Sequence, residues 1–396
     1  MVKFAHLADL HLGSWRERRL RELNFQAFSS AVDRILEENV DFCVFSGDIF
    51  NSASPPIEVV TRAANEFIRL KNKGVNVFFI GGSHDYSATG KSYLDLLETT
   101  GVIENACRIS YEDERVLELD FLRCGDVLLA GLPGKKNGLD RKDYKKLRFV
   151  KKPECSYSVF LFHLALDDFK PDFLKNQSFG MSEGMLPPGF SYYAGGHVHK
   201  FMEKGGSSGK LVYPGPMFPN SFKELKTEIP SFCFVELGDE VSVSREFVNV
   251  FSKKHIFYEA DKEMPSSIYS GIMEKLEGED LVDCVVLLEI SGVVEGAVSD
   301  IGMVEITKKA YELGAYEVLK NTHGLTSSHL REIEEFSEEE VESVEEIEDK
   351  VVREYIEDEE KINKLKSLLS LDLEMRDEEK VLDYDKRVKE AIKKCL

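Results

Sequence analysis

Five short apolar runs in the first 200 residues each finish on histidine or aspartate, and this repeated join of apolar run to polar tip restricts the fold more than any other feature. Residues 4–7 lead into Asp9-Leu10-His11, 42–46 into Gly47-Asp48, and 75–80 into Gly82-Ser83-His84-Asp85. Residues 159–162 lead into His163, and 192–194 into Gly196-His197-Val198-His199. The runs are short and apolar on both sides, which predicts strands covered on both faces of a sheet. Between them, 25–38 and 57–73 carry apolar residues at helical spacing, the second after the Pro55-Pro56 start signal, and 91–100 reads as a third helix. With 127–130 as a further strand, the alternation predicts an α/β domain. Side chains just past the strands then gather along the carboxyl edge of a sheet, where such proteins assemble their sites. Glycines at 47, 82, 195 and 196 permit the tight turns this requires.

One histidine beside a strand is commonly a packed core residue. Five strand ends bearing the same chemistry are not accounted for that way. His6, inside the first run, reads as a core or supporting residue, and His255, His323 and His329 read as structural or surface residues. Imidazoles with carboxylates and no thiolates suit Mn, Fe or Zn, whereas an all-oxygen set would suit Mg or Ca. A carboxylate shared by two ions holds them ~3.5–4 Å apart, close enough to clamp the attacking and leaving oxygens of a phosphoester. A further histidine left unligated can protonate the leaving oxygen.

The seven cysteines are scattered without a CxxC pair, which argues for a reducing interior and against a thiolate zinc site or disulfide scaffold. No run reaches the ~20 apolar residues of a membrane span, and the apolar start is too short for a signal peptide. A cytoplasmic location with no membrane partner is expected. The net charge of −21 is unevenly spread. Residues 331–396 hold 24 Asp/Glu against 13 Lys/Arg, whereas 135–152 hold nine Lys/Arg against two Asp. Residues 255–324 mix a strand-like run at 284–290 with helical stretches at 268–276 and 301–313, a small α/β module. Beyond 330 glycine and proline vanish, and Ile333, Phe336, Val341, Val344, Ile347 and Val351 recur at intervals of three to five, predicting amphipathic helices.

The order of motifs resembles the calcineurin-like metallophosphoesterase superfamily. Within it, the segments from Lys3 to Gly13, Gly47-Asp48-Ile49-Phe50, Gly131-Leu132-Pro133-Gly134 and Tyr213-Pro214-Gly215-Pro216 look like the SbcD-type nucleases of double-strand-break repair. The resemblance implies a two-sheet β-sandwich flanked by helices over 1–245, a small α/β capping domain over 250–328, and a helical ATPase-binding arm over 331–396. It implies two divalent metal ions, with Mn expected. One ion would take Asp9, His11, Asp48 and His199, and the other Asp48, Ser83, His163 and His197, with Asp48 bridging. His84 would be the catalytic, unligated histidine, and Asp85 is expected to orient it. Ser83 stands where the family usually has Asn, and Asn51 where related nucleases often have His. A serine hydroxyl is a shorter and weaker donor, so the second ion is expected to bind more weakly than the first.

The resemblance further implies double-stranded DNA ends as substrate, a homodimer paired through helices 57–73 and 91–100, and an SbcC-type ABC ATPase gripped by the terminal helices. Asn51, Lys135, Lys136 and Arg141 are the candidate substrate-binding residues. Lys223, Lys226, Lys253 and Lys254 could extend a basic track that neutralises phosphates. Two alternatives stand beside the nuclease: a phosphodiesterase or phosphatase acting on small molecules or phosphoproteins, and a catalytically weakened DNA-end scaffold.

Overall fold

The computed structural model describes residues 1–87, 90–113, 116–135, 139, 141–148, 153–167, 181–206, 209–328, 361–362 and 387–389. The expected arm over 331–396 therefore lies almost entirely outside the described residues. The chain divides into two compact units, one of residues 1–256, 279–288 and 309–320, the other of 257–278, 289–308 and 321–396.

The first unit is built on two six-stranded sheets. One runs in the order Val241–Phe247, Ser231–Leu237, Val2–Leu7, Phe42–Ser46, Asn76–Ile80, Glu104–Asn105. The other runs Phe201–Gly206, Gly209–Pro214, Tyr192–Gly196, Tyr157–His163, Val127–Leu132, Leu122–Cys124. The strands that carry the motifs are parallel to their motif-bearing neighbours in both sheets, so their carboxyl ends share an edge.

Alternate residues of these strands feed different cores, which is why the sequence shows no alternation of polarity. Phe4, Phe42, Val44, Phe78 and Ile80 meet Val127, Leu129, Val159, Leu161, Tyr192 and Ala194 of the other sheet, so the inner faces form a sandwich. The outward residues Ala5, Leu7, Cys43, Phe45 and Phe79 are covered by two helices, Arg18–Glu37 and Ile57–Asn72. Phe28 of the first helix and Phe67 of the second both pack edge-on against Phe45, with centroids 6.1 and 5.4 Å away. Burying each such ring contributes about 1.5–3 kcal/mol. The outer face of the second sheet closes with Phe160, Phe162, Tyr193 and Tyr213 on Leu166, Leu186 and Phe190. The expected two-sheet sandwich flanked by helices is thus present.

The first helix begins at Arg18, seven residues before the sequence reading places it. Its N-cap Glu17 makes no side-chain cap and its first turn is charged, so neither start signal is there to read. Buried Leu20 and Leu23 supply the missing apolar stripe. Further on, Ser252–Glu263, Cys284–Val294 and Glu317–Ser327 form a three-stranded sheet with Cys284–Val294 central. The helix Pro265–Glu277 of the second unit buries Ile268, Ile272 and Leu276 at helical spacing. Among the described residues no helix is long and apolar enough to cross a membrane, and the six described cysteines are free.

Candidate metal centre

The motif residues follow the strand ends through unusual backbone. Asp9, His11, Asp48 and His197 hold φ of 53°, 44°, 49° and 86°, a left-handed region that costs a non-glycine residue about 1–3 kcal/mol. Strain of that kind persists only where the surroundings enforce it, and here it coincides with the polar tips. Close approach supplies the enforcement. A Cβ on Gly82 would lie 2.2 Å from Asp48 Oδ1, and one on Gly196 would lie 1.9 Å from the Ser46 carbonyl oxygen. Asn24 of the first helix donates to the Leu10 carbonyl at 2.9 Å, pinning the loop between Asp9 and His11.

Three groups of donor atoms result: Asp9 with His11 and His199; Asp48 with His163 and His197; and His11 with Asp48 and His84, each group lying within 4.8 Å. His11 Nε2 and His199 Nε2 are 3.1 Å apart, close to the separation of two donors that share one ion at ~2.0–2.1 Å. His11 Nε2 lies 3.7 Å from Asp48 Oδ2, and His163 Nε2 lies 3.2 Å from the same oxygen. Asp48 therefore stands between the two sets. His163 Nε2 meets Asp48 as an ion-pair contact without hydrogen-bond geometry, and His11 Nδ1 is buried without a hydrogen-bond partner. An orphaned buried imidazole nitrogen is costly unless something else binds it. The donor set, oriented and partly unsatisfied, fits divalent ions.

The imidazoles are fixed from behind. His163 Nδ1 donates to the Ser46 carbonyl at 2.8 Å, which directs Nε2 toward Asp48. His199 Nδ1 donates to Glu224 at 3.1 Å. His84 Nδ1 is 2.9 Å from the backbone oxygen of Asn51, and the His84 N–H donates to Asp48 Oδ1 at 2.8 Å. His197 N–H donates to both oxygens of Asp9 at 3.0 Å. The Ser83 hydroxyl reaches Asp48 Oδ2 at 3.4 Å. His6 is buried between Tyr192 OH at 2.9 Å and Ser46 Oγ at 3.1 Å, away from the ligand sets, as the sequence reading expects.

Asp85 departs from its expected place. Its two oxygens accept the backbone N–H groups of Ile49, Phe50 and Gly82 at 2.9–3.1 Å, and the His84 ring is held by the Asn51 carbonyl instead. The carboxylate ties two loops together rather than orienting an imidazole. The contact that holds His84 is made by the Asn51 backbone, so it does not depend on the side chain at that position. Lys135 pairs with Asp143 at 2.5 Å, Arg141 opens the short helix Arg141–Lys146, and Lys136 lies outside the described residues. Glu224 and Ser46 were missed in the sequence. Ser221-Phe222-Lys223-Glu224 is a capping-box signature that could have flagged the former.

Burial pushes the Asp9 carboxyl up to about 6 against the opposing charges of His199 and His163. Burial also penalises the Asp48 anion, but His163, His11 and the His84 N–H outweigh it and hold Asp48 below the usual carboxylate range. Desolvation opposes the charged forms of His163 and His199. The carboxylates win, raising His163 to about 10 beside Asp48 and His199 to about 9 beside Glu224 and Asp9. Burial lowers His197 to about 4 and His11 well below its ordinary value. The carboxylates thus favour a proton on His163 and His199 while desolvation disfavours one on His11 and His197, and divalent ions would compete with those protons.

The family model for calcineurin-like phosphoesterases matches residues 2–201. The chain is similar to the DNA double-strand break repair protein Mre11 of Methanococcus maripaludis, 28% identical over 220 residues that cover 54% of this chain and 55% of that protein. It is 29% identical to the Mre11 protein of Methanopyrus kandleri over 262 residues, covering 63% of this chain and 57% of that one. For the Mre11 protein of Archaeoglobus fulgidus the figures are 27% over 332 residues, 73% and 71%. The chain thus spans little more than half the length of the first two relatives.

Proposed function

This chain belongs to the calcineurin-like phosphoesterase family, and we propose that within it the protein is a metal-dependent DNA nuclease that processes double-strand ends. The observation that carries the reading is the pair of donor sets meeting at Asp48. The likeness to proteins named for DNA double-strand break repair supports DNA as the phosphodiester substrate.

Two divalent ions, with Mn preferred, are assigned to Asp9, His11, His199 and Asp48 on one side and to Asp48, His163, His197 and Ser83 on the other. Bound there, they supply a nucleophile at neutral pH and offset charge on the phosphoryl oxygens. The chain's own part is arrangement. Asp48 is fixed by the His84 N–H and by burial, and Asp9 by the His197 N–H. His84, anchored through Nδ1, is assigned the proton donated to the leaving oxygen. The basic stretch 135–152, including Lys135, Lys136 and Arg141, is assigned to the DNA backbone, so affinity falls as salt rises. The acidic segment 331–396 is assigned to an ABC-type ATPase of the SbcC kind, helices Ile57–Asn72 and Tyr93–Thr99 to a homodimer contact, and the protein to the cytoplasm.

The test is hydrolysis of an end-labelled duplex with Mn, with Mg and with chelator, beside His84→Ala. Cleavage that needs Mn and falls by about 10²–10⁴ in the variant supports the nuclease. No cleavage under any metal, with the ATPase partner added, points to a scaffold. Turnover of a nucleotide phosphodiester without duplex cleavage points to a small-molecule phosphodiesterase.

A further inference from the structure

Among the described residues, the Asp9–His11–His199 set has a histidine hydrogen-bonded to a carboxylate outside the ligand sets, and the His163–His197 set has none. His199 Nδ1 lies 3.1 Å from Glu224 Oε2, so its other nitrogen, Nε2, is turned toward His11. Glu224 is itself immobilised. The same oxygen accepts the backbone N–H of Asn220 at 2.8 Å, and the Glu224 N–H donates to the Ser221 hydroxyl at 3.2 Å. The carboxylate sits on the six-residue helix Phe222–Thr227. The far end of that helix is clasped by one ammonium: Lys253 Nζ donates to the carbonyls of Leu225, Lys226 and Glu228 at 2.6, 3.2 and 3.2 Å. A helix this short does not hold its shape alone, and three orphan carbonyls satisfied by one cation fix its end.

We infer that Glu224 is a positioning residue for His199 as a metal ligand, and that Lys253 secures the helix that presents it. The inference rests on the metal reading proposed above. A carboxylate accepting the second N–H of a ligating imidazole fixes the tautomer, holds the ring plane and raises the basicity of the ligating nitrogen. His163 Nδ1 hydrogen-bonds a neutral acceptor, the Ser46 carbonyl at 2.8 Å, with the Asp9 carboxylate farther off at 3.9 Å. Glu224 thus makes the Asp9–His11–His199 position the tighter of the two. The rival account is that Glu224 merely caps its helix. It differs in consequence, because a cap has no reason to favour one ion over the other.

The experiment is Mn titration of the full chain, followed by the resonance of free Mn, for wild type, Glu224→Ala, Glu224→Gln and Lys253→Met. His199→Ala and His197→Ala mark the two positions. Glu224→Ala is expected to weaken the ion marked by His199 about 10–100-fold and leave the ion marked by His197 unchanged. Glu224→Gln, which keeps an acceptor but no charge, is expected to recover part of the loss, and Lys253→Met to show a smaller loss at the same ion. Melting of the metal-free proteins serves as the folding control. Unchanged titration of Glu224→Ala overturns the inference. So does equal weakening of both ions with a lowered metal-free melting temperature and no recovery by Gln, which is the signature of a cap. Wild-type protein that takes up no Mn removes the metal reading itself, and the inference with it.

Discussion

The two halves of the centre share Asp48 but are built differently. Around Asp9, His11 and His199 the donors are a carboxylate and two imidazoles, and one imidazole is backed by a second carboxylate, Glu224. Around His163 and His197 the backing of His163 is a backbone carbonyl, and the further donor proposed there is the hydroxyl of Ser83, 3.4 Å from Asp48. Asp9, His11, Asp48 and His163 are buried, His199 is partly buried and His197 is exposed, and both halves rest on left-handed backbone, at Asp9 and His11 in one and at His197 in the other. Both halves thus rest on strained strand ends, and they differ in their donors and in exposure. That separates two requirements that a motif read as letters merges: strand ends and glycines place a site, whereas the charge and length of individual donors decide how firmly each position is filled.

The largest expected effect comes from removing what the halves share. Asp48→Ala takes a donor from both positions and leaves His163 without its carboxylate partner. Cleavage of duplex DNA should fall by more than the ~10²–10⁴ that a single acid–base group supplies, and both Mn ions should weaken together in a titration. If only one ion weakened, Asp48 would not be the bridge, and the two halves would be independent sites.

A smaller effect is expected where the halves differ. Mn should fill the wild-type protein in two unequal steps, and Ser83→Asn, which lengthens the side chain and provides an amide oxygen, should tighten only the second, by about 10-fold. Equal occupancy of both positions at low Mn in the wild type would erase the distinction drawn here. A tighter first step in the variant would reverse it.

The sequence discloses these halves unevenly, for physical reasons. Strands buried on both faces, such as Phe42–Ser46, stand out because an unbroken apolar run leads up to the polar end. Their polar tips stand out because histidine and aspartate are rare next to such runs. Contacts made by backbone leave no such mark, so the Ser46 carbonyl behind His163 and the Asn51 carbonyl behind His84 were invisible. Sequence adjacency misled at Asp85, since the turn after Ile80 aims neighbouring side chains in different directions, one at backbone N–H groups and one at the Asn51 carbonyl. Glu224 lies 25 residues from His199 and is brought to it by a separate short helix, a relation that helical or strand periodicity does not encode. The outer strand Ser252–Glu263 was hidden by its exposed, charged face, which reads as loop.

The smallest expected effect on hydrolysis contrasts the centre with the acidic segment at the chain's end. Every donor assigned to the ions lies within residues 9–199, and both sheets of the sandwich end by Phe247. Deleting 331–396 removes 24 Asp/Glu and 13 Lys/Arg but none of those residues. Mn-dependent hydrolysis of a small phosphodiester should therefore be kept, because the deletion leaves every assigned donor in place. Binding of the ATPase, assayed by pull-down, should disappear with the segment. A truncated chain that still captures the ATPase would move the partner surface onto the remaining residues. One that keeps its fold by melting but loses small-substrate hydrolysis would mean that the centre depends on the acidic segment, and that catalysis is not a property of the sandwich alone.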